Sequence, residues 1–104
     1  MAQARRRKAA DYEAHRTRDH GTIRRWAEER GGHPALVEGT QILGIDFDDP
    51  DGSRDEHLRR VSWEEFFRIF DDRSLQFLYQ ERTHDGKISR FNKFVYADSD
   101  REQE

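Results

Sequence analysis

Apolar residues in this chain fall in short runs of two different periods, separated by polar stretches. Between Thr22 and Arg30, the residues Ile23, Trp26 and Ala27 stand at i, i+3 and i+4, which predicts a helix with one apolar face. Asp19 or Thr22 can cap its start. Gly31 occupies the place where a helix commonly ends in a left-handed residue, and Pro34 follows, so the RGGHP stretch reads as a helix stop. In ALVEGTQILGIDF, Glu38-Gly39 reads as a turn leading into a strand. That strand puts Leu43, Ile45 and Phe47 on one face and Ile42, Gly44 and Asp46 on the other. DDPDGSRDEH reads as a polar loop.

The fullest pattern is VSWEEFFRIF. Ser62 and Glu65 have the spacing of a capping box, and Val61 and Phe66 that of a hydrophobic staple. Trp63, Phe66, Phe67 and Phe70 recur at i, i+3, i+4 and i+7, a ridge expected to be buried at about 2 kcal/mol per ring. LQFLYQER and ISRFNKFVY then flank Asp85-Gly86, predicting a β-hairpin. A two-residue turn there sets Phe77 opposite Phe94 and Glu81 opposite Arg90. The expected fold is α+β: a small antiparallel sheet of about three strands, including the C-terminal hairpin, packed by two helices in the order α-β-α-β-β. Residues 1–18 are expected to form a basic flexible arm, 19–97 a single domain and 98–104 a disordered acidic tail.

Composition changes this picture little. With 33% hydrophobic and 39% charged residues the chain leans toward disorder, but nearly all of its seven Phe, two Trp and three Tyr lie between Ile23 and Tyr96. A folded middle follows. Charge changes it more. The net −3 conceals a basic start, where residues 1–25 hold eight Lys/Arg against three acids, and an acidic remainder with eleven against nineteen. A polyanion would meet only the arm, unless one face of the body collects the remaining cations. The absence of Cys excludes disulfides, thiol chemistry and thiolate metal sites. No apolar run has the length of a membrane span or signal-peptide core, so the chain reads as cytoplasmic and without membrane contact.

Recognised chemistry is sparse. DFDDPDGSRDEH fails the EF-hand pattern, because aligning Gly52 with the loop glycine puts Phe47 and Leu58 at the two essential ligand positions. The five histidines are scattered, no glycine-rich loop precedes a helix, and no Ser/His/acid order stands out. No catalytic residue, metal ligand or cofactor is expected, and an enzyme is the less favoured reading. Two binding sets remain. In SRFNKF, Arg90, Asn92 and Lys93 project between aromatics beside Tyr79, as a strand face that recognises a peptide or an anion would. The plainer account of the same residues is an edge strand guarded by charge. The other set is Arg5, Arg6, Arg7, Lys8, Arg24, Arg25 and Arg30, which could neutralise phosphates.

TIRRWAEERGGHPALVEGT, ILGIDF, VSWEEFFRIFDDRSLQFLYQE and DGKISRFNKFV together resemble a family of small bacterial proteins, roughly ninety residues long, with IRxWAExRGGxPA, SWxEFFxxF and FLYQExTxDGxxSRFxKFV motifs. Some of its members carry the label 1,4-alpha-glucan branching enzyme. For a chain too short to build a barrel enzyme, the resemblance implies an accessory protein in glucan metabolism. IRRWAEERGG is also similar to a helix of a small DNA-binding domain in actinobacterial nucleoid-associated proteins. That resemblance makes Arg30-Gly31-Gly32-His33-Pro34 a minor-groove arm, though without the second arginine of that family's Arg-Gly-Arg. The leading expectation is a small binding or regulatory module with a protein partner, as a monomer or weak dimer. Association with DNA or RNA comes second.

Overall fold

The computed structural model describes residues 12–53 and 55–97. In chain order the elements are β1 (Ala14–Thr17), α1 (His20–Glu28), β2 (Gly32–Val37), β3 (Leu43–Phe47), β4 (Leu58–Arg60), α2 (Trp63–Asp72), β5 (Leu75–Gln80) and β6 (Asn92–Tyr96). They form an α+β fold with two helices and two three-stranded antiparallel sheets, ordered β1-β5-β6 and β3-β2-β4.

Both helices start where local chemistry tells them to. The Asp19 carboxylate accepts from Thr22 N at 2.8 Å, and Ser62 Oγ accepts from Glu65 N at 3.0 Å. α1 ends at Gly31, whose φ of 68° suits a residue without a Cβ. α2 ends instead at Ser74, at a φ of 54° that glycine would adopt more easily.

Residues from both helices and both sheets share one core. Ile23, Trp26 and Ala27 of α1 and Phe66, Ile69 and Phe70 of α2 pack with Leu36, Leu43 and Ile45 of one sheet and Leu75 and Phe77 of the other. Two of the four rings expected to be buried on α2, Phe66 and Phe70, are fully enclosed. Trp63 and Phe67 are half-buried and stack on each other with centroids 5.3 Å apart. His20 covers the far face of that pair, parallel to Phe67 at 4.0 Å.

Three strands, β1, β2 and β4, lie outside the expected order α-β-α-β-β. β1 falls within the segment expected as arm, and pairs His15 with Tyr79 and Thr17 with Phe77. β2 is the central strand of its sheet although it begins Gly-His-Pro, which reads as a stop. Pro34 is tolerated because the side on which its N–H is missing faces the end of β4, whose ladder pairs only Ala35 to Val37, and its carbonyl on that side accepts from Val61 N at 2.9 Å. β4 has three residues, too few to show a period.

Candidate functional site

The hairpin β5–β6 changes register along its length. Phe77 pairs with Phe94 and Tyr79 with Asn92, the register that a turn at Asp85-Gly86 predicts. Nearer the tip the register slips: the next bridge joins Arg82 to Ile88, and Glu81 does not face Arg90. Two residues, Gln80 and Glu81, therefore oppose three, Ser89, Arg90 and Phe91, which is a β-bulge. The turn explains the slip. Gly86 N donates to Thr83 O at 2.9 Å and Thr83 N to Lys87 O at 2.8 Å, with Gly86 at a φ of 87°. This is a wider turn closed by a left-handed glycine, not a two-residue one. A hydrogen bond from Thr83 Oγ1 holds the Asp85 carboxyl below its usual range.

The bulge keeps a cross-strand bond from Ser89 N to Glu81 O at 3.1 Å, and α1 together with the turn after it brings further donors to the carbonyls here. Trp26 Nε1 donates to Gln80 O at 3.0 Å. One turn further along, Arg30 Nη2 donates to Glu81 O at 2.9 Å and Arg30 Nε to Ser89 O at 2.6 Å. Its Nη1 donates to Trp26 O at 2.9 Å, and its guanidinium carbon lies 4.5 Å from the centre of a Trp26 ring. Arg30 thus bonds both strands of the hairpin neck, and Glu81 Oε1 lies 3.2 Å from Nη2 to compensate the charge. The arginine side chain is 2% exposed. An arginine is so deeply buried only when its donors are used.

Above this clamp the bulged segment turns its side chains outward. Ile88 is 55% and Phe91 43% exposed, on either side of the buried Ser89. Arg90 reaches back over the Phe47 ring at 4.9 Å and donates to Asp48 O. The result is a shoulder of two apolar side chains and flanking cations on main chain fixed from beneath.

The sequence-predicted residues scatter around this shoulder. Tyr79 is half-buried against Trp26, Phe77 and His15, and burial, aided by Glu81, pushes its phenol above the ordinary value. Asn92 shares its sheet face, with Nδ2 donating to Arg90 O at 3.0 Å, while Lys93 pairs with Leu78 on the opposite face. Arg90 belongs to the shoulder, so the four do not converge on one point.

The nucleic-acid set fares differently. Arg30 is corrected from a reaching arm to a buried clamp, because every one of its nitrogens meets an oxygen of its own chain. Arg24 pairs with Glu28 at 2.9 Å, and Arg25 is exposed on α1. Arg5, Arg6, Arg7 and Lys8 lie outside the described residues.

Ile88, Phe91, Arg82 and Lys87 are absent from the predicted site. The cue that could have found them is His-Asp-Gly-Lys after Thr83, a wider turn that displaces the return strand by one residue.

A second polar cluster crosses the outer side of the other sheet. The buried Asp46 receives Arg60 Nε at 2.8 Å, and Asp48 receives Arg60 Nη2 at 2.9 Å and meets His33 Nε2 at 3.1 Å. His33 and Arg60 hold the Asp48 carboxyl below its usual range. All four groups satisfy one another and tie three strands together. Among the described residues no group of three His, Asp or Glu side chains is placed to hold a metal, and no helix is long and apolar enough to cross a membrane. No family model, curated protein or solved structure matches the chain.

Proposed function

We propose that this protein is a non-enzymatic binding module that docks a partner protein on the hairpin shoulder formed by Ile88, Arg90 and Phe91. The observation that carries this reading is the pairing of exposed apolar side chains with a buried arginine clamp. Left to itself, an exposed Ile and Phe on a bulge would cost solubility and order. Here Arg30 and Trp26 hold the bulge in place, so its side chains meet a partner with little conformational entropy left to lose. Bulges commonly re-aim side chains at functional sites in this way.

A photo-crosslinking amino acid placed at position 88 or 91 in the producing cell tests the reading. The same discrete adduct is expected from both positions. None is expected from position 59, an exposed residue of β4 in the other sheet. Equal labelling from all three positions, or none from 88 and 91, contradicts it.

A further inference from the structure

Resting on the shoulder as the docking surface, we propose that the partner contributes an extended acidic segment that adds as a fourth strand along the free edge of β6. Among the described residues β6 has a single neighbour, β5, so its outer main-chain donors and acceptors are open to pairing there. The hairpin segment that leads into β6, with Lys93 in the strand itself, carries a charge the reverse of the molecule's. Residues 82–93 hold four cations, Arg82, Lys87, Arg90 and Lys93, and one carboxylate, Asp85, for a net +3 in a chain of net −3. The rest of the chain therefore carries −6.

Elsewhere among the described residues Arg24, Arg30 and Arg60 are each engaged by a carboxylate, while exposed cations such as Arg25 and Arg59 are not, though these are not gathered in one short segment. Among the described residues these four cations meet none: Arg82 donates to Gly86 O, and Arg90 lies over Phe47 and donates to Asp48 O. A segment with that balance of charge attracts carboxylates.

Three candidate occupants differ in how they meet this arrangement. A second copy of the chain would bring two segments of net +3 together across an antiparallel edge pair, and like charges there are destabilising. A nucleic acid has no peptide groups for the strand edge, and its phosphates would continue past this segment, whereas the rest of the chain carries a net −6. A short acidic strand confines its charge to this segment, pairs its backbone with β6 and sets an apolar side chain beside Phe91.

The test uses the full chain and a fluorescein-labelled ten-residue peptide alternating Glu and Val, with a Lys/Val counterpart and a ten-nucleotide oligo(dT) as controls. The acidic peptide is expected to bind in anisotropy titrations and to slow amide hydrogen exchange within 92–96. Affinity should weaken about tenfold in Lys93→Glu and less in Lys93→Ala. Because Lys93 is exposed, neither change disturbs the core. Equal or tighter binding of either control, failure of the acidic peptide to bind, or binding without protection of 92–96 overturns the inference. Adducts at 88 and 91 without acidic-peptide binding would leave the docking surface standing. Absence of those adducts would remove the docking surface itself.

Discussion

A methyl group added at Gly32 would lie 2.7 Å from Ile45 Cγ2, 3.0 Å from Ala27 O and 3.2 Å from Phe47 Cε1. Its neighbour Gly31 has room but needs a positive φ, so the adjacent glycines are required for separate reasons, one conformational and one steric. Gly32→Ala is expected to lower stability by about 1–3 kcal/mol, read as a lower urea midpoint at unchanged slope. At Arg30, Lys keeps the charge but not the fork that reaches Glu81 O, Ser89 O and Trp26 O. Arg30→Lys should therefore cost about 3 kcal/mol in the same titration, because buried acceptors lose their donors. The sequence shows Gly31 as a terminator but conceals the clamp. Arginine carries no burial signature, and the only hint is the i, i+4 spacing from Trp26.

At the scale of elements, what is local was readable. The caps at Asp19 and Ser62 involve residues three apart and follow from composition of a single turn. β2 was not readable, since Gly32 and Pro34 disfavour a strand unless neighbours supply the pairing; β3 follows it directly across the Glu38-Gly39 turn, but β4, its other neighbour, comes only after the polar loop. The ridge on α2 was half readable: its stripe is wider than the buried arc, and Trp63 and Phe67 end against each other and His20. Ser74→Gly, which relieves a left-handed non-glycine at the end of α2, should raise stability by about 1 kcal/mol in urea denaturation.

The Asp48 cluster makes a pH prediction for its sheet. A carboxyl whose folded pKa is depressed stabilises the fold above the unfolded value, and the contribution is lost as pH falls through the folded one. Stability is therefore expected to decline below about pH 4, and Asp48→Asn should make that decline shallower when denaturation midpoints are compared across pH.

For the whole molecule, two sheets and two helices closing on one core should unfold together, with far-UV ellipticity and Trp fluorescence superimposing. The sequence allowed for a face of the body that gathers cations. It could not place that face on the hairpin, because a one-residue slip near the turn decides which side chains emerge. Everything functional in this account depends on Ile88, Arg90 and Phe91 being held still by Arg30. Backbone ¹⁵N relaxation of residues 88–91 measures this directly. Order parameters near those of the rigid strands, about 0.85, are expected in the native chain, falling below about 0.6 in Arg30→Lys. Low values in the native chain, or values that Arg30→Lys leaves unchanged, would contradict the account.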